Sequence, residues 1–388
     1  MYVILICVVL AAMAAVRLQD KANRFEKAEK ALYVVVALFF LVRFSIGQDT
    51  GTYHWLFYDV KNPLADSLTS HMMRNFLYTL CNYGIKTLFH EFRWFVLCSN
   101  LLILGAFTWV IFRHSRHLAM SLFLFCAGGI LEVYYGSGLR AGAVMAIFIF
   151  AFYQFLPKKQ YLLYELFCLI AFGFHETALL LLVVPFLVPI ATYFRQKPVK
   201  TLLIMFGISA VLCLITTRGF EELGYYLIDR YGWDATWTHV VAYLRYQEFS
   251  ILGLGMEGVF LIGILLLYRM ADKEKLDEFT SLEMMTFLFS IAIYISLAGY
   301  SLMSRVSDMF QVIMVILIPK LISAIPQTSK RLIAFCGVAL LNLFLLYSDL
   351  NAKIASINHT EKFQISMREF PYITVFDKNK IDTLYERQ

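Results

Sequence analysis

The stretch ALYVVVALFFLVRFSIGQDTGTY, residues 31–53, decides how the chain is read. Its first part, Ala31 to Val42, is an uninterrupted apolar run with no alternation of polar and apolar positions. Such a run reads as a helix in a bilayer, not as a half-buried strand. The second part packs Arg43, Gly47, Asp49, Gly51 and Tyr53 into a short polar turn. An arginine at the mouth of a membrane helix, followed by such a turn, suits an anionic lipid head group. The same residues also fit an arginine snorkelling to the interface above a capped turn. The positions of the other polar residues decide between the two.

Composition sets the class. The 388 residues are 60% hydrophobic, 16% aromatic and 16% charged, with a mean hydropathy of +0.66. Soluble domains are nearer half apolar and a quarter charged. A membrane barrel would show alternating segments of about ten residues. The chain therefore reads as an all-α polytopic membrane protein of about 12 transmembrane helices. They are placed near residues 2–16, 31–46, 94–112, 118–135, 139–156, 161–174, 177–194, 201–216, 251–268, 281–299, 303–324 and 331–348. Met1 to Val16 lacks a positive leading region and a small-x-small cleavage site, so it reads as a retained first span. Seven cysteines are scattered through apolar runs without a CxxC pair. They read as small buried hydrophobes, with no metal site and no cofactor. The net charge of +6 fits basic loops and anionic lipid, not nucleic acid, because no basic run is interleaved with aromatics.

Orientation follows from Lys and Arg. Segments 17–30, 113–117, 157–160, 195–200, 269–280 and 319–331 hold about 18 of the 34 basic residues. All fall on one side if the N-terminus is outside, which makes that side cytoplasmic. The C-terminus is then outside as well. The reading divides the chain into a transmembrane domain, 1–348, and a polar outer tail, 349–388. Two outer segments are long. Residues 47–93 contain LADSLTSHMMRNFLYTLCNYGIKTLF, whose apolar spacing predicts an amphipathic helix at the interface, or a re-entrant hairpin. Residues 217–250 are rich in Tyr, Trp and charge. They read either as an interfacial aromatic belt or as a platform on which sugar rings stack.

The remaining polar residues at helix ends then fall on the outer side. Arg43, Asp49 and Tyr53 follow the second span, and Arg140 opens the fifth inside YGSGLRAG. His175 lies between the sixth and seventh in FHETA, and Arg305 opens the eleventh in LMSRVSDMF. An arginine at bilayer-centre depth costs roughly 2.5–3.5 kcal/mol on insertion scales and less near the interface. Guanidinium groups match phosphate bidentately, and the glycines around Arg140 let backbone N–H groups approach an anion. The anion inferred is a lipid-borne pyrophosphate. Taken singly, each arginine also fits a snorkelling end residue. Glu176 and Asp308 also fit structural pairs, and His175 a satisfied helix-end histidine.

At these residues the sequence resembles the EpsG family of Wzy-like polysaccharide polymerases. The resemblance rests on Arg43, Gly47, Asp49 and Tyr53, and on Arg140 after a small-residue turn. It rests further on His175, Thr177 and Ala178, on Arg305, and on Phe370-Pro371-Tyr372. Ala141 stands where Gln is usual, Thr177 where Ser is commoner, and no acidic residue occupies the second-loop position near His71. The resemblance implies a GT-C-like, metal-independent glycosyltransferase at the outer face of the cytoplasmic membrane. It would join undecaprenyl-pyrophosphate-linked oligosaccharide repeat units into exopolysaccharide, capsule or O-antigen. Arg43, Arg140 and Arg305 would bind the pyrophosphate, and Tyr53 would position sugar or phosphate. His175, or alternatively Asp49, would take the acceptor hydroxyl's proton. A chain-length regulator and a flippase are the implied partners, beside membrane lipid. The competing readings are a glycan ligase using the same lipid donor, a lipid-linked oligosaccharide flippase or transporter, and a membrane O-acyltransferase.

Overall fold

Hydrocarbon offers backbone groups no partners, so apolar runs in a bilayer satisfy their own N–H and C=O groups as helices. The structure, a computed structural model, describes residues 2–20, 23–44, 50–63, 76–128, 138–231, 251–297, 301–360, 373–379 and 381. Helices α1 (Tyr2–Gln19) and α2 (Glu26–Leu41) form the first hairpin, followed by short α3 (Thr50–Asp59) and α4 (Phe76–Phe89). Then come α5 (Phe92–His114), α6 (Leu118–Ala127), α7 (Leu139–Phe155) and α8 (Tyr161–Phe172). A 3-10 run, Glu176–Phe186, leads into α9 (Leu187–Gln196), α10 (Pro198–Tyr231) and α11 (Ile251–Met270). The last are α12 (Glu278–Ser296), α13 (Ser301–Gln311), α14 (Met314–Ala324) and α15 (Thr328–Thr360). Among the described residues, seven helical segments are long and apolar enough to cross a membrane, and four shorter apolar helices accompany them. Extended backbone pairs at one place among these residues, Arg43 with Thr374.

The core is built around α7 and α12. Helix α7 packs on α5 and α8, while α12 packs on α9, α10 and α13. Apolar helices in lipid associate by packing contacts, since the surrounding tails are equally apolar. Phe310 of α13 meets Phe148 of α7 at 5.9 Å and Phe289 of α12 at 5.5 Å, both edge to face. Each such pair contributes about 0.5–1.5 kcal/mol beyond area. Helices α10 and α15 have 34 and 33 residues. At about 1.5 Å per residue they reach roughly 50 Å, beyond a hydrocarbon core of about 30 Å. The aromatic segment after residue 216 thus begins as a continuation of α10, whereas residues 232–250 lie outside the described residues.

One end of the bundle gathers the basic loops, and several of its charges are paired. The Arg17 guanidinium donates to Glu29 Oε2 at 2.9 Å and to Asp20 Oδ2 at 3.1 Å. Glu29 Oε1 accepts from the Ala119 N–H at 2.8 Å, so one carboxylate closes the α1–α2 hairpin and caps α6. A second network joins α7, α12 and α14. Glu283, fully buried, accepts from the Tyr153 hydroxyl and the Lys320 ammonium, each at 2.7 Å. Lys320 also lies 3.5 Å from Asp277. Asp277 caps α12 by accepting from the Thr280 N–H at 2.7 Å. These are structural clamps, since each carboxylate is satisfied from two sides.

The stretch read as one span over 303–324 is two helices, α13 and α14, separated at Val312–Ile313. The ladder there switches to i→i−3 bonds, as from the Val315 N–H to the Val312 carbonyl. Side-chain ties fix the end of α13. Ser307 Oγ donates to the Ser290 carbonyl at 3.0 Å, and Gln311 Nε2 donates to both carboxylate oxygens of Glu257 at 3.1–3.2 Å. Apolar periodicity does not register such a break, because Val312 and Ile313 are themselves apolar and run directly into the apolar α14.

Candidate functional site

At the opposite end of the bundle a second apolar cluster collects residues from across the chain. Phe44, Tyr53, Phe57, Tyr78, Phe95, Leu139, Ile373 and Val375 belong to it, and Phe174 packs against it. Tyr53 is itself a predicted site residue. Phe44, Leu139 and Phe174 are the immediate chain neighbours of Arg43, Arg140 and His175. The fold thus brings together four groups that are far apart in sequence.

Arg43 is buried just past the end of α2. Asn100 of α5 donates through Nδ2 to the carbonyls of Arg43, at 2.8 Å, and Leu41, at 3.2 Å. The chain beyond α15 returns here. The Phe44 N–H donates to the Ile373 carbonyl and the Val375 N–H to the Val42 carbonyl, both at 2.8 Å. Lys378 adds an ion pair to Glu91 at 2.8 Å. This strap was not legible as part of the site, because two short β-bridge residues carry no periodic signal.

Arg140 opens α7 with its guanidinium carbon 5.7 Å from the ring centres of both Tyr53 and Tyr78. The two rings are 5.9 Å apart. Tyr53 and Glu176 both lie near enough to favour the charged guanidinium. Phenol faces stabilise a cation by roughly 0.5–2 kcal/mol each without neutralising it. Tyr78 is the residue that sequence reasoning missed. It sits on α4, whose buried face is Tyr78, Thr79 and Asn82, while Leu80, Leu88 and Phe89 point outward. The amphipathic segment therefore turns Tyr78, Thr79 and Asn82 to the site and leaves its larger apolar residues outside. Burial pushes the Tyr78 phenol above its ordinary range, so it stays protonated.

Helix α4 is held by a close approach. The Gly173 carbonyl accepts from the N–H groups of Leu77 and Tyr78 at 2.9 and 3.2 Å. A Cβ at Gly173 would fall 2.5 Å from Leu77 Cγ, so only glycine fits under this contact. Two residues on, His175 caps the 3-10 run. Its Nδ1 accepts from the Thr177 N–H at 3.3 Å, and the Thr177 hydroxyl lies 2.8 Å from the same nitrogen. With Nδ1 accepting, the neutral ring carries its proton on Nε2. The Thr177 hydroxyl also reaches Met309 Sδ on α13 at 3.3 Å. Arg305 does not open α13 but lies one turn inside it and one turn before Met309; its backbone is described there, and its side chain lies outside the described residues. Asp49 and the Phe370-Pro371-Tyr372 element also lie outside the described residues. Among the described residues, no group of three His, Cys, Asp or Glu could hold a metal ion.

These features define a helical membrane protein with cationic and aromatic groups gathered at one end of its bundle and paired basic loops at the other. The chain belongs to the EpsG family, whose model matches residues 31–373. Family membership points to polysaccharide biosynthesis. Neither a curated protein nor a solved structure matches the chain.

Proposed function

We propose that the chain is a GT-C-like, metal-independent glycosyltransferase of about 12 spans. It polymerises undecaprenyl-pyrophosphate-linked repeat units at the outer face of the cytoplasmic membrane, with both termini outside. The observation that carries this reading is the meeting of Arg43, Tyr53, Arg140 and His175 at the bundle end opposite the basic loops. The positive-inside rule supports placing that end outside. In the reaction, the acceptor sugar hydroxyl attacks the anomeric carbon of the donor glycan. The bond from that carbon to the pyrophosphate oxygen breaks, and the pyrophosphate leaves with the electron pair. Fixed guanidinium groups of Arg43, Arg140 and Arg305 stabilise the negative charge that develops there. Tyr53 and Tyr78 orient Arg140.

His175 and Asp49 are the two groups able to move the hydroxyl proton. The Thr177 N–H occupies Nδ1, so the neutral His175 ring offers Nε2–H as a donor. We assign His175 to hydrogen bonding the leaving oxygen and Asp49 to accepting the proton. The discriminating experiment uses a strain carrying Arg140→Ala at normal protein level, with its lipid-linked glycans run on a gel. Single repeat units that reach the outer leaflet unjoined support the polymerase. A second reading, transport of the lipid-linked glycan, is favoured by the broken α13–α14 segment and its buried Glu257–Gln311 tie. Repeat units trapped on the inner leaflet would establish it instead.

A further inference from the structure

Helix α12 is the most enclosed of the long spans, with 72% of its apolar window buried. Yet a cavity of about 760 Å³ runs along it between α9 and α10, lined by Leu187, Ile190, Ile208, Leu212, Phe289 and Ala292 among others. That volume lies within the roughly 300–1,000 Å³ of sites that enclose small ligands. The serine and threonine hydroxyls on its wall are turned back onto backbone carbonyls one turn earlier. Thr201 donates to the Lys197 carbonyl at 3.0 Å, Ser209 to Met205 at 3.0 Å and Ser296 to Ala292 at 2.7 Å. Apart from the Tyr193 phenol, the wall therefore presents apolar side chains. Ile208 and Leu212 line the cavity and are also exposed, which places them on its open rim.

Both walls continue into the site. Helix α9 prolongs the 3-10 run that begins beside His175. Helix α12 leads to α13, which carries Arg305 and the Met309 that touches Thr177. The Ser307–Ser290 bond locks α13 to α12. We infer that this groove holds the polyprenyl chain of the lipid-linked substrate while the site holds its pyrophosphate. The inference rests on the polymerase reading for the identity of the head group. An ordinary acyl chain gains nothing from apolar contact that the bilayer does not already offer. A chain whose head is anchored at the site is presented to the groove at high effective concentration, and that tether decides the occupant.

The test uses the whole protein in nanodiscs and two probes, undecaprenyl phosphate and farnesyl phosphate, each displacing a fluorescent polyprenyl phosphate. Ala292→Trp fills the groove from α12, and Leu212→Trp fills it from the exposed rim, where folding is not at stake. Either substitution is expected to weaken the long-chain probe by about tenfold, some 1.4 kcal/mol, while leaving the short-chain probe unchanged. Equal weakening of both probes, or of neither, overturns the groove assignment. So does equal displacement by phosphatidylglycerol, which would make it a bilayer-lipid site. If the wild type shows the chain-length effect but makes no polymer from lipid-linked repeats, the groove stands and the polymerase reading falls.

Discussion

The protonation of His175 can be read by replacing it with residues that keep one half of its chemistry. In the structure Nδ1 accepts from the Thr177 N–H at 3.3 Å, with the Thr177 hydroxyl 2.8 Å away. The neutral ring then carries hydrogen on Nε2. Glutamine places an N–H donor near the Nε2 position but cannot take up a proton at neutral pH. Alanine removes both abilities. If His175 donates to an anionic oxygen, His175→Ala loses a hydrogen bond to a charged group, worth about 1.5–3 kcal/mol, or roughly 10- to 150-fold in turnover. His175→Gln is then expected to stay within about tenfold of wild type. A general base would instead contribute about 10²–10⁴-fold, lost equally in both variants. The assay is conversion of purified lipid-linked repeat units to polymer, followed from pH 5 to 9. A Gln variant as slow as the Ala variant, with the acidic limb of the wild-type profile gone, would refute the donor assignment and make His175 the base.

Four further outcomes follow from the geometry. Arg140→Lys keeps the charge but loses the planar group lying 5.7 Å from the Tyr53 and Tyr78 ring centres. Its turnover should fall nearly as far as that of Arg140→Ala, and full activity would show that charge alone suffices. Gly173→Ala drives a methyl into Leu77, and a displacement of about 1 Å at Tyr78 should cost on the order of 10² in rate; adding Leu77→Ala should restore it. Glu29→Ala leaves buried Arg17 with Asp20 as its remaining carboxylate and the α6 N-terminus uncapped, which should cost about 1.5–3 kcal/mol and show as a lower melting temperature in detergent. Burial, with Arg17, Arg331 and Arg116 nearby, pushes His117 down to about 4. The unfolded chain takes up that proton near pH 6.5, so stability falls between pH 6.5 and 4, by roughly 3 kcal/mol at most. His117→Phe should flatten that slope.

Much of the fold was legible because hydrocarbon leaves a chain few options. Helices stand at each apolar run, and the basic loops gather at one end, as Arg17, Arg116 and Arg331 around His117 show. Arg43, Tyr53, Arg140 and His175 were legible as polar residues at helix mouths, where their cost called for an explanation. What stayed hidden depends on contacts between distant segments. Tyr78 had no mark of its own in the segment read as an amphipathic helix, and only the inward Tyr-Thr-Asn face of α4 singles it out. Glu283 and Glu257 lie inside long apolar stretches, and nothing local names Tyr153, Lys320 or Gln311 as their partners. The strap over Arg43 closes a loop from residue 43 to residue 374, a separation that no periodicity reports.

The two ends of the bundle treat their cations differently, and the difference bears on function. At the loop end Arg17 meets the buried carboxylate of Glu29, and Lys320 meets that of Glu283. Asp20 and Asp277 add a second carboxylate to each of these cations. At the site end Arg140 is held by two phenol rings, and its acidic neighbour Glu176 has a side chain 43% exposed to the surroundings. An exposed carboxylate is screened by water and can swing aside, whereas phenol faces keep the guanidinium in place without cancelling it. Glu29 and Glu283 fix their cations by opposite charge, whereas the Tyr53 and Tyr78 rings add contacts to Arg140 that leave its charge in place.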